Sequence, residues 1–129
     1  MTLRTSAVGL LLFLLACRYE FSQDEAKALV RSIGEERIRI ASDALKPLAK
    51  QDGNWTYVER SRWASVFQEL QATSLQVNRE GVWIGKSGFY VEAEGLFVPF
   101  RGTPEPEERS GDPSIWRVGK RVYWYKFIG

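Results

Sequence analysis

Residues 74–100, SLQVNREGVWIGKSGFYVEAEGLFVPF, decide the fold. Apolar and polar residues alternate along them with a period of two, the pattern of strands with one buried face. Leu75 and Val77 alternate with Gln76 and Asn78, Arg79-Glu80-Gly81 reads as a turn, and Val82-Trp83-Ile84 is the next short strand. Gly85-Lys86-Ser87-Gly88 is predicted to be a tight hairpin loop, since a glycine at either end can take positive φ. A longer strand follows from Phe89 to Phe100. It places Phe89, Val91 and Ala93 on one face and Tyr90, Glu92 and Glu94 on the other. Gly95 interrupts the alternation and predicts a bulge there. Pro99 lacks an N–H and ends the ladder.

Downstream, Arg101 to Ser114 (RGTPEPEERSGDPS) is a loop rich in Pro, Gly and Glu. It exceeds the usual connection of about 4–6 residues and reads as a solvated, mobile segment, with a functional loop as the alternative. Ile115–Val118 and Arg121–Phe127 then form a hairpin around Gly119-Lys120, and the last strand is expected to be integral to the sheet. Upstream the period changes. Ser22-Gln23-Asp24-Glu25 fits a capping box, and its acids suit the positive end of a helix dipole. Apolar residues at Ala26, Leu29, Val30, Ile33, Ile40, Ala41, Ala44, Leu45 and Leu48 predict one long helix to about Pro47, kinked near Gly34. Ala49–Asn54 is a turn cluster. Trp63, Val66, Phe67 and Leu70 at i, i+3, i+4 and i+7 predict a second helix over 59–71, with Trp55 and Tyr57 extended before it. Helices followed by strands indicate an α+β domain over 22–129. In it, one or two N-terminal helices pack on a four- to five-stranded antiparallel sheet.

The chain has 129 residues, with Lys+Arg at 18 and Asp+Glu at 16. No basic block appears, so a nucleic-acid partner is not expected. With no histidine, the commonest general base and the commonest metal ligand are missing. Stability is assigned to packing, helped by five Trp, five Tyr and seven Phe.

The first seventeen residues, MTLRTSAVGLLLFLLAC, carry a different message. Arg4 supplies a positive charge, and an apolar run follows from Ala7 to Ala16. Its length of about ten residues is short of the roughly 20 needed to span a bilayer and matches the apolar core of a secretory signal, about 7–15 residues. Leu14-Leu15-Ala16-Cys17 resembles the lipobox of bacterial lipoproteins, a likeness confined to residues 1–17. The resemblance implies a cleaved signal peptide over 1–16, lipidation of Cys17 and a lipidated tether over 17–21. It therefore implies membrane attachment through acyl chains on Cys17. Arg18, being other than Asp, implies by the same resemblance the periplasmic face of the outer membrane rather than the inner. Cys17 is the only cysteine; its other readings are a buried thiol or an uncleaved anchor.

No constellation in the remaining chain names a reaction, a metal or a cofactor. Glu92 and Glu94 at i and i+2 on one strand lie roughly 6.5–7 Å apart, near the spacing used by inverting glycosidases, but any strand with alternating acids has this spacing, and a solvated face is the simpler reading. Ser87 beside Lys86 is a weaker pair, since neighbours in a hairpin rarely point together. Glu105, Glu107 and Glu108 lack EF-hand spacing. The strand aromatics are more informative. Alternation forbids Tyr123 and Tyr125 from sharing a face with Trp124, so some rings must face away from the helices. Trp83, Tyr90, Trp116, Tyr123 and Tyr125, with Arg117, Lys120 and Arg121, are the candidate partner-binding residues, because Trp, Tyr and Arg concentrate at interfaces. The same rings would also suit stacking on sugars. The leading expectation is a non-enzymatic envelope lipoprotein that binds a protein partner. That makes it an immunity or inhibitor protein against a secreted toxin or lysozyme-like enzyme, or an envelope-assembly component. A wall-directed hydrolase using carboxylates and a structural spacer are the alternatives.

Overall fold

The Ser22 hydroxyl starts the first helix, accepting the Glu25 amide at 3.1 Å, and α1 runs Gln23–Ile33. The computed structural model describes residues 20–89 and 92–128; the leader, Cys17, Arg18 and Tyr90 lie outside the described residues. The predicted single helix is two. Gly34 has φ +103° and ψ 117°, a conformation that favours glycine, and α2 restarts over Glu35–Asp43. The glycine therefore breaks the helix where a kink was expected, and Pro47 falls in a 3₁₀ turn over Lys46–Leu48. The second predicted helix is also shorter. Arg60–Arg62 form a 3₁₀ turn, Trp63 and Ala64 are extended, and α3 covers only Ser65–Glu69. The Trp63 indole donates to the Val58 carbonyl at 2.9 Å, which ties Trp63 to the chain before the helix. Trp63, Val66, Phe67 and Leu70 are all buried nonetheless.

The strands are β1 (Thr56–Tyr57), β2 (Ser74–Asn78), β3 (Gly81–Phe89), β4 (Glu92–Pro99), β5 (Ser114–Arg117) and β6 (Tyr123–Ile128). They form one antiparallel sheet in the order β1-β2-β3-β4-β6-β5. The α+β class is as expected. The strand beyond the predicted four or five is β1, built from the extended segment at Tyr57 and paired through Thr56↔Val77. In the β2–β3 turn, the Asn78 side-chain oxygen accepts both the Glu80 and Gly81 amides.

The predicted Gly85–Gly88 hairpin loop is instead strand. β3 runs through it, and β3 and β4 meet at the Phe89–Glu92 pair. Both glycines of the Gly85↔Gly95 pair are there for room. A Cβ on Gly85 would stand 2.1 Å from the Ser74 hydroxyl, and one on Gly95 would stand 2.0 Å from the Ile84 carbonyl. The bulge expected at Gly95 sits on β3 at Lys86, where the register passes from Gly85↔Gly95 to Ser87↔Glu94. It turns the Lys86 ammonium onto the Leu70 carbonyl at 2.6 Å, at the C-terminal end of α3, where a cation is favoured. Burial lowers the Lys86 pKa, partly offset by the Glu25 charge.

One sheet face packs against the helices. Leu75, Val77, Val82, Ile84, Leu96 and Val98 meet Ala26, Val30, Ile38, Val66 and Phe67 there. Glu94 lies on this same face and is 4% exposed, so it is buried where a solvated face was expected. Its carboxylate accepts the Phe21 amide at 2.5 Å and the Ser87 hydroxyl at 3.2 Å, and pairs with the Lys126 ammonium at 3.2 Å. The Phe21 carbonyl accepts the Trp124 indole N–H at 2.6 Å, and the Phe21 ring is buried. Residue 21, expected to be tether, is thus part of the core.

Replacing Glu94 by alanine leaves the Phe21 amide without its acceptor and removes the carboxylate that faces Ser87 and the half-buried Lys126. Glu94→Ala is expected to destabilise by about 2–4 kcal/mol. Glu94→Gln keeps an acceptor and should cost only about 1–3 kcal/mol. Urea denaturation of the two variants gives the ordering; equal losses would contradict it.

The aromatic sheet face as candidate functional site

The strand register fixes what the other sheet face carries. Across it, Tyr57, Gln76, Trp83, Phe97, Tyr123 and Arg117 form one row, and Ser74, Gly85, Gly95, Tyr125 and Ile115 the next. Ala93 and Phe127 pair beyond these. Trp83, Phe97, Ile115, Tyr123 and Tyr125 form a second buried cluster, separate from the helix-side core. Trp83 is its hub: its ring centroid lies 4.1 Å from Phe97, 5.0 Å from Tyr125, 5.7 Å from Phe127 and 5.2 Å from Trp55. The Tyr125 and Trp55 contacts are edge-to-face, a preferred geometry worth about 0.5–1.5 kcal/mol beyond area burial.

The two ends of this face differ. At the β5 end, the 101–113 segment approaches the sheet. Arg109 exchanges both backbone hydrogen bonds with Ile115 at 2.9 Å. The Arg117 guanidinium lies 5.6 Å from the Tyr123 ring centre, donates to its hydroxyl at 3.2 Å and pairs with Glu105 at 3.3 Å. Phe97 and Ile115 here border a cleft of about 590 Å³ that Thr103–Glu107 also line. The β1 end is lined by other residues. It holds a cleft of about 410 Å³ lined by Trp55, Thr73, Ser74, Gln76, Trp83, Gly85, Ser87, Ala93, Tyr125 and Phe127. Trp55 is 45% exposed, and Tyr57, paired with the lining residue Gln76, is 59% exposed. The indole nitrogen of Trp83 is buried and has no hydrogen-bond partner among the described residues. Such an orphaned donor is uncommon, because an unmet buried polar group carries a desolvation penalty of about 1–3 kcal/mol.

The candidate residues divide accordingly. Trp83, Arg117, Tyr123 and Tyr125 share this face. Trp116 does not: it pairs with Trp124 and packs on the helix-side core. Lys120 is exposed in the β5–β6 turn. Arg121 ties that turn to its surroundings, its amide donating to Glu35 at 2.7 Å and its guanidinium to the Phe100 carbonyl at 3.1 Å. The expected basic-aromatic patch is therefore split, and Arg117 is already engaged by Glu105. Sequence reasoning missed Trp55, Phe97 and Phe127. Phe97 carried a usable signal, standing two residues from Gly95 on the Trp83 side of the register. Trp55 carried none, sitting beside a turn cluster.

Other chemistry finds little support. Lys86 and Ser87 diverge, one to the Leu70 carbonyl and the other to Glu94. Among the described residues, no group of three His, Cys, Asp or Glu side chains could hold a metal ion, and no helix is long and apolar enough to cross a membrane. Comparison of the chain with known protein families, with curated proteins and with solved structures found no match.

Burial raises the pKa of Tyr125 strongly. Burial and the nearby Glu105 also raise that of Tyr123, against the opposing Arg117 charge. Both phenols stay protonated in the folded state at a pH that ionises them in the unfolded chain. This stabilisation is complete below the ordinary tyrosine pKa, about 10, and is lost as pH rises above it. Stability should fall by about 1.4 kcal/mol per pH unit for Tyr125 alone. Denaturation midpoints between pH 9 and 11.5, compared with Tyr125→Phe, measure this; an unchanged slope in the variant would refute it.

Proposed function

We propose that the protein is a lipid-anchored, non-enzymatic binding module of the bacterial cell envelope, and that the β1 end of its aromatic sheet face is the binding surface. The anchor rests on the Leu14–Cys17 likeness to a lipobox. The binding surface rests on one observation above all: Trp55 and Tyr57 stand exposed beside a cleft whose wall, Trp83, carries an unmet buried donor. Exposed aromatics grouped at a concave site mark ligand or partner contacts more often than they mark a solvated face. The ligand is part of the envelope or acts on it, as for an inhibitor of a secreted toxin or lysozyme-like enzyme, or an assembly factor. A tether suits such a role because it holds the module where its target arrives. The outer membrane is the favoured site, facing the periplasm.

The hydrolase reading loses ground on the geometry of its own residues. The Glu94 carboxylate is occupied by the Phe21 amide, Ser87 and Lys126, which leaves no paired acid and base. The purified protein is expected to release no soluble fragments from cell-wall sacculi; release that Glu92→Gln abolishes would restore that reading.

The anchor is tested by growing cells with an alkyne analogue of palmitate. The native chain should be labelled and sediment with membranes, whereas Cys17→Ser should be unlabelled and lose that attachment. Labelling that survives the substitution would reject lipidation at Cys17.

A further inference from the structure

We infer that the cleft between Trp55, Trp83 and Tyr125 is a subsite for a neutral saccharide, taking one pyranose ring of a longer glycan. The inference rests on the proposal that this half of the sheet is the binding surface, and it narrows the ligand class.

Four features point to a sugar. First, among the described residues the cleft's lining carries no charged side chain, although a quarter of the chain is charged (26%). A phosphate, an acidic peptide or a nucleic acid would find no counter-charge there. Second, Trp55 is held against Trp83 at 5.2 Å and 60° yet remains 45% exposed. It is a braced aromatic platform, and the weakly positive C–H face of a pyranose meets the negative face of such a ring. Third, Thr73, Ser74 and Gln76 bring hydroxyl and amide groups to the same cleft. Each can donate and accept, which matches the hydroxyls around a sugar's edge. The Trp83 indole N–H, buried and without an acceptor among the described residues, belongs to a residue of the same lining. Fourth, the volume of about 410 Å³ lies within the range of small-molecule sites, about 300–1,000 Å³.

The floor is shaped for this. Gly85 and Gly95 face each other across β3 and β4, and neither has room for a Cβ. The row between Ser74 and Tyr125 is thereby lowered to backbone, giving a depression where a continuous aromatic row would have been flat. A protein surface fits less well. Interface contacts favour arginine beside Trp and Tyr, yet Arg117, the arginine in this face's strand rows, lies at the β5 end in a pair with Glu105.

The test is a tryptophan-fluorescence titration of the full-length protein in a zwitterionic, sugar-free detergent. The probes are tetrasaccharides of N-acetylglucosamine, glucose in β-1,4 linkage and glucose in α-1,4 linkage, with a sulfated tetrasaccharide as the charged control. At least one neutral probe should give a saturable change that is insensitive to salt, and the sulfated probe should bind no more tightly. Trp55→Ala should weaken that binding by about tenfold, the loss of one stacking contact, while Trp55→Phe should restore most of it. Circular dichroism confirms that each variant is folded. No saturable change with any neutral probe, or tighter binding of the sulfated one, overturns the saccharide subsite. If no saccharide binds but a protein ligand is found whose binding Trp55→Ala abolishes, the binding-surface proposal survives and this narrowing fails. If Trp55→Ala leaves every ligand's binding unchanged, both fail.

Discussion

A carboxylate buried on the inner face of a sheet has to be answered, because leaving it uncompensated costs several kcal/mol. Glu94 is answered three times: by a strand lysine (Lys126), a strand hydroxyl (Ser87) and the backbone amide of Phe21, which lies 73 residues away in sequence. Trp124 closes the same knot from the other side by donating to the Phe21 carbonyl. The knot fixes the start of the domain to β4 and β6 and so places α1, which begins two residues later. It also occupies one carboxylate of the Glu92/Glu94 pair that has catalytic spacing. The bulge at Lys86 belongs to the same arrangement. It rotates Ser87 onto the helix-side face toward Glu94 while sending Lys86 to the end of α3.

With the helices committed to one face, the other is left to cover itself. It does so with large rings. Aromatic side chains bury more area per residue than aliphatic ones, so a sheet face lacking a second helical layer can still be made dry by Trp83, Phe97, Tyr123 and Tyr125. The 101–113 segment adds cover only at the β5 end, held by the Arg109–Ile115 bridge and the Arg117–Glu105 pair. At the β1 end, Trp83 and Tyr125 are buried while Trp55 and Tyr57 stand exposed. The functional proposal follows from that step from buried to exposed rings at the edge of one cluster.

Much of this was legible in the chain. The period-two pattern of 74–100, the Ser22 cap, the long loop and the final hairpin all appear where the sequence puts them, and alternation alone placed Tyr123 and Tyr125 opposite Trp124. The misreadings have one physical origin. Glycine serves both turns and close approaches, and local sequence does not distinguish them. Gly85 was read as a turn former and Gly95 as a bulge, whereas both are strand positions kept bare by Ser74, Ile84 and Tyr125 on neighbouring strands. Conversely, Gly34, read as a kink, is a full break.

The sequence by itself determined the class of fold and the two-faced character of the sheet, and it carries the likeness of Leu14–Cys17 to a lipobox. These depend on period, composition and short motifs, which are properties of neighbours along the chain. Only the tertiary structure decided that Glu94 is buried, that Trp116 turns away from Trp83, and that Trp55 crosses from a turn cluster to complete the aromatic cleft. Those outcomes depend on strand order, on register and on where a single extra residue is absorbed. Each is set by packing between segments far apart in sequence, where no local pattern records which face a side chain will finally meet.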